Sequence, residues 1–196
     1  MRNTVILAFT FLFSACAFSQ VTVVTATPAE AVAALVGPNV QVSNISFTGD
    51  AVQLGLFQNA GGNFPVGSGI TLSTSHAGNF MPSAFNGEPA APVNSEPDLL
   101  DIANSVPPLI NQSFTVGGVY DVAILEFDFV ATGPILTFKY VFGSDEYLTY
   151  VNSQYNDVFS FLISGPGISG PYNSPAAFPD GAQNIAVVPN SNSISG

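Results

Sequence analysis

The sequence predicts an all-β protein, a jelly-roll-like β-sandwich with one short N-terminal helix. Three observations predict it. The 196 residues include 17 Phe, no Trp, 18 Gly and 15 Pro, a balance that favours pleated, half-buried strands joined by many turns. In three stretches, Leu125 to Val130, Leu136 to Phe142 and Asp157 to Ser164, apolar and polar residues alternate with a period of two, so one set of side chains faces a core and the other faces water. Convincing helix-start chemistry occurs in one place only.

That place follows a first strand over residues 21 to 26. Thr27 is placed to cap a helix, Pro28 to occupy its first position, and Glu30 to close a capping box. The alanine-rich run then stops at Gly37 and Pro38. Residues 40 to 47 alternate as a strand. The stretch from Gly49 to Phe64 is a weaker candidate, with Leu54, Leu56 and Phe57 apolar and Gly61-Gly62 as a break. Residues 69 to 75 read as a short strand and 76 to 98 as loop. A helical turn around Leu99, Leu100 and Asp101 is expected to end at Pro107-Pro108.

Beyond it lies a predicted hairpin. Leu125, Phe127 and Phe129 share one face, with Glu126, Asp128 and Val130 on the other. A turn at Thr132-Gly133-Pro134 leads to Leu136, Phe138, Tyr140 and Phe142. A hairpin centred between Thr132 and Gly133 puts Phe129 opposite Leu136, Phe127 opposite Phe138 and Glu126 opposite Lys139. A third strand, Asp157 to Ser164, turns Phe159, Phe161 and Ile163 inward. Residues 184 to 188 are a candidate last strand.

The N-terminus has the form of an export signal. Arg2 is its positive region, residues 5 to 13 its apolar core, and Ala15-Cys16-Ala17 its small-residue cleavage site. The apolar run is too short to span a bilayer. Residues 1–19 are therefore read as a signal peptide and 20–196 as a single domain, exported to the medium or the outer cell surface. Phe13-Ser14-Ala15-Cys16 also loosely matches a lipobox, which would keep Cys16 as an acylated anchor. Without Cys16, the chain's single cysteine, the mature protein has no disulfide to lean on.

Charge narrows the partners. Thirteen carboxylates face two basic residues, Arg2 and Lys139, for a net charge of −11. Nothing is available to neutralise phosphates, which argues against nucleic acid and anionic membranes. Most of the acids must be solvated, hydrogen-bonded to backbone, or bound to cations.

Together, LEFDF, TFKYVFGSDEY and YNDVFSFLISGPG resemble the choice-of-anchor L domain of secreted and surface bacterial proteins. VSNISFTGDAVQLGLF, GSGITLSTSHAGN and NIAVVPNSNS resemble its other blocks, in order, across most of residues 21 to 196. The resemblance implies an exported, largely β domain whose molecular role is open and whose anchoring devices vary. The chain departs from the pattern at Gly143 to Tyr147, where Asp145 stands in place of one of two successive glutamates. It also ends without a sorting segment, which suggests a domain truncated at its C-terminus.

The best candidate site is the cluster Asp145, Glu146, Asn156 and Asp157, with Asp128 and Asn152 as neighbours. Calcium takes six to eight oxygens of these kinds, though the spacing is not that of an EF-hand. The plainer reading is that the four cap turns and bond local amides. Tyr147, Tyr150 and Tyr155 lie in the same loop, where exposed rings suit stacking on a ligand and buried ones would pack beneath it. Glu96, Asp98 and Asp101 form a second acidic patch, with Asp98 the expected helix cap. His76 is read as an exposed loop residue, too close in sequence to Ser73 and Ser75 to make a triad. The sequons at Asn44 and Asn111 are uninformative in a bacterial chain.

The function expected is therefore non-enzymatic: an adhesion or ligand-binding module for an extracellular glycan or protein, assisted by calcium. Two alternatives stand beside it. One is a carbohydrate-active enzyme using Glu126 and Asp128; the other is a structural spacer in a larger surface protein.

Overall fold

The structure, a computed structural model, describes residues 21–59, 64–79, 95–144, 150, 153–155, 157–173 and 178–186. Among these the chain is mainly antiparallel β with two short helices. In order the elements are β1 (Val21–Thr25), α1 (Pro28–Leu35), β2 (Gln41–Thr48), β3 (Leu54–Asn59), β4 (Ser68–Leu72), α2 (Pro97–Leu109), β5 (Ile124–Val130), β6 (Leu162–Ile163) and β7 (Gln183–Asn184). They form three separate sheets, β1-β3-β4, β2-β5 and β6-β7.

α1 forms as its sequence dictates. The Thr27 hydroxyl accepts from the Glu30 amide, and the Glu30 carboxylate accepts from the Thr27 amide at 2.8 Å. With Pro28 at the first position, the helix starts with two amides satisfied and φ already set. Ala31 and Val32 are buried against the sheet. Burial of the Val32 side chain contributes roughly 1.5–3 kcal/mol.

The weakest strand of the sequence reading, β3, is the most buried in the structure. It is the central strand, pairing Val23 of β1 with Phe57, and Leu56 with Ile70 of β4. Leu54, Gly55 and Phe57 are buried. Gly55 blurred the alternation because a side chain has no room there: a Cβ would lie 2.8 Å from Val23 Cγ1 and 3.2 Å from Ala77 Cβ.

α2 is longer than the expected turn. Glu96, not Asp98, is its N-cap, accepting from the Leu99 amide at 2.6 Å. The helix also runs through Pro107 and Pro108. Proline's fixed φ is helical, and the last turn closes by three-residue bonds such as Ile110 N–H to Pro107 O. The segment after α2 packs back along it, burying Val116, Val119 and Val122. Asn104 fastens this segment as a sheet partner would, accepting from the Val116 amide at 2.8 Å and donating to its carbonyl at 3.1 Å.

The predicted hairpin is not the pairing observed. β5 pairs with β2, so Phe129 lies opposite Val42 and Glu126 opposite Ser46 rather than Lys139. Residues 135–142 belong to no strand ladder. The alternation itself holds: Leu125, Phe127 and Phe129 are half-buried, and Glu126, Asp128 and Val130 are exposed. β2 offers the same alternation as residues 135–142, and side-chain pattern does not say which neighbour a strand takes. β2 reaches this pairing through a bulge between Ser43 and Ser46, where Asn44 adopts φ 52°.

The buried core lies beneath the first sheet. It joins Leu54 and Phe57 to Val32 and Ala77, while Ile102 and Ala103 of α2 are buried, as are Val116 and Val122 beyond it. At one point three segments meet on the fully buried Gln53. Its Oε1 accepts from the Asp50 amide at 2.6 Å, and its Nε2 donates to the Ser73 and Asp121 carbonyls at 3.0 and 2.8 Å.

Candidate functional site

In sequence, the predicted site lies between two stretches that form an aromatic row. Phe138 stacks on Phe161 with centroids 4.0 Å apart, Tyr140 lies 5.2 Å from Phe159, and Phe142 lies 6.2 Å from Phe159. Thus residues 138–142 and 159–161 run past each other in opposite directions, aromatic side to aromatic side, as the alternation predicts. The regular pairing near them is confined to Leu162 and Ile163 with Asn184 and Gln183, extended by Ile185 N–H to Phe161 O at 2.8 Å. Asn184 Oδ1 also accepts from the Phe161 and Ala186 amides.

The predicted site spans Gly143 to Asn156. Of the predicted ligand-binding residues, Tyr150 and Tyr155 are brought together. Their ring centroids are 5.7 Å apart and their planes meet at 70°, edge to face. They are 42% and 63% exposed. The Tyr155 amide donates to Ser153 Oγ at 3.2 Å, which shapes the turn that carries it. Tyr147 lies outside the described residues.

Of the predicted metal ligands, Asp157 is described and exposed. Asp145, Glu146 and Asn156, with their neighbour Asn152, lie outside the described residues. Among the described residues no group of three or more His, Cys, Asp or Glu is placed to hold a metal ion. Asp128, the other proposed neighbour, is engaged at the β2 bulge, where its Oδ2 accepts from Asn44 Nδ2 at 2.6 Å. Glu126 shares its exposed strand face. His76 is half-buried rather than exposed, because it sits between the end of β4 and the tight turn Ala77–Asn79, whose Ala77 is core.

The second acidic patch separates into three roles. Glu96 caps α2 and Asp101 is exposed. Asp98 is buried at 6% exposure. Both its oxygens accept from the Asn173 amide, at 3.0 and 2.9 Å, and Oδ1 accepts from Asn173 Nδ2 at 3.2 Å. A helix carboxylate thus holds the chain at Asn173, close to the favourable first-turn dipole. Sequence reasoning missed this role, since nothing local marks an acid whose partner is 75 residues away. Gln53 was also missed, although Asp50-x-x-Gln53 before an apolar run is a capping-box signature.

Among the described residues one ionisable group is clearly displaced. The Thr27 hydroxyl, then the Thr27 amide, hold the Glu30 carboxyl below its ordinary value of 4.5. Among the described residues no helix is long and apolar enough to cross a membrane.

Comparison with curated proteins and with solved structures gave no match. Against family profiles, residues 20–195 match the choice-of-anchor L domain, a module of surface or secreted bacterial proteins. That match covers nearly the whole chain, and the protein belongs to the choice-of-anchor L domain family.

Proposed function

We propose that the protein is a non-enzymatic adhesion or ligand-binding module, exported to the cell surface or the medium and assisted by calcium. In this reading the strands form a jelly-roll-like sandwich, and the loop from Gly143 to Asn156 presents the recognition surface. The observation that carries it is the exposed pair Tyr150 and Tyr155. Two amphipathic rings held against each other in water leave apolar area uncovered, and a bound partner recovers it.

Calcium would be held by Asp145, Glu146, Asn156 and Asp157, all hard oxygen donors. What supports it is the charge balance: thirteen acids have at most two side-chain cations to meet. A bound ion would join the two ends of the loop and fix the tyrosines between them.

Titration calorimetry and thermal unfolding of the metal-free protein test the ion. Calcium is expected to bind with heat and raise the melting temperature, and Asp157→Ala to weaken both effects. No heat and no stabilisation at millimolar calcium would remove calcium from the proposal. A glycan and protein array tests the ligand, with binding expected to fall in Tyr155→Leu. Turnover of chromogenic glycosides, lost in Glu126→Gln, would replace the module with an enzyme.

A further inference from the structure

We propose that the group seated on the tyrosine pair is a cation, the Lys or Arg side chain of a basic segment of an extracellular protein. This rests on the ligand-binding reading above and names its partner class.

The geometry comes first. Planes meeting at 70° with centroids 5.7 Å apart form a two-walled aromatic corner. One ring presents its edge to the other, so the receiving face is partly occupied. A sugar stacks best on a whole flat face, and the corner shortens that platform. A compact ammonium or a guanidinium edge needs only to approach ring faces within about 6 Å of their centroids.

The charge of the whole protein points the same way. The net charge is −11. Exposed acids include Asp157, two residues beyond Tyr155, and Glu126 and Asp128 on β5. Lys139 is the one Lys or Arg among the described residues. Such a field draws cationic partners in, gives no help to neutral sugars and repels acidic ones. A single calcium ion in the loop would leave the balance strongly negative. The field supplies long-range attraction, and the rings supply the local contact that distinguishes a seated cation from a diffuse one.

The test is titration of the full chain with a tetralysine peptide and, separately, with a neutral tetrasaccharide, at low and high salt. Tetralysine is expected to bind, and to bind about 2- to 5-fold more weakly when Tyr150→Leu or Tyr155→Leu removes one ring. Tyr120→Leu, which removes an exposed tyrosine elsewhere, is expected to bind as the unaltered protein does, and Tyr155→Phe, which keeps the ring, to bind more tightly than Tyr155→Leu. Ring-proton NMR signals of Tyr150 and Tyr155 in the unaltered protein should shift on adding the peptide, a reading that holds even if a leucine variant unfolds.

Equal affinity in both leucine variants with unmoved ring signals would overturn the proposal, leaving only bulk charge attraction. Preference for the tetrasaccharide, lost in Tyr155→Leu, would also overturn it while keeping the ligand-binding reading. Absence of any bound ligand on the array and in both titrations would sink the two together.

Discussion

Replacing Gln53 with leucine is expected to cost about 3 kcal/mol of folding stability. The side chain is fully buried and meets three backbone groups: the Asp50 amide, the Ser73 carbonyl and the Asp121 carbonyl. Leucine fills similar space and meets none of them. A buried polar group deprived of its partner costs about 1–3 kcal/mol. Asp50 and Asp121 are half-buried, so water reaches them in part and the low end of the range applies to each. Urea unfolding followed by circular dichroism gives the measurement. At a slope of about 2 kcal/mol per molar, the midpoint should fall by about 1.5 M with the slope unchanged. Gln53→Glu is the sharper variant. It keeps the acceptor for Asp50 but turns a carboxylate oxygen toward two carbonyls, so it should be at least as destabilising at pH 7. A loss below about 1 kcal/mol for leucine, or a Glu variant as stable as the unaltered protein, would show that the three segments do not depend on this clasp.

Three other outcomes follow from the same reasoning. Asp98→Ala should free the Asn173 amide and speed its hydrogen exchange by about 10- to 100-fold, the equivalent of the roughly 1.5–3 kcal/mol of a charge-assisted bond; unchanged exchange would mean that the loop is held elsewhere. Glu30 has its folded value lowered, so its contribution is complete above the ordinary 4.5 and fades as pH falls through the lower folded value; Glu30→Gln should therefore flatten the decline in stability on acidification, and identical acid profiles would contradict the capping box. Gly55→Ala should cost about 1–3 kcal/mol by overpacking, since the new methyl would meet Val23 Cγ1 at 2.8 Å and the Val24 carbonyl at 3.0 Å; a neutral melting temperature would show that β1 gives way.

What was legible in the sequence was local. The capping box at Thr27 and Glu30 and the two-fold alternation of β5 are rules about residues a few positions apart, and both appear as read. Partner choice was not legible. β5 took β2 across some 80 residues instead of its neighbour, because both offered similar apolar faces. Nor was burial: β3 holds Leu54 and Phe57 at the centre, yet Gly55 and Gln53 broke its pattern for reasons that exist only in three dimensions. At the candidate site, the tyrosine loop was visible from composition. The meeting of Tyr150 with Tyr155 was not, since a loop has no period from which to read which rings touch.

The extra residue in β2 carries a lesson about parity. Val42 and Phe47 stand an odd number of positions apart, yet face the same side as Phe129 and Leu125. The inserted position at Asn44 resets the count midway. Removing one residue there would leave a single position opposite Phe127 and an uninterrupted ladder, whereas adding one would turn one half inside out, offering serine where Phe129 or Leu125 awaits a hydrocarbon. In this chain, an insertion at residues 43 to 46 is thus a change of phase rather than of length.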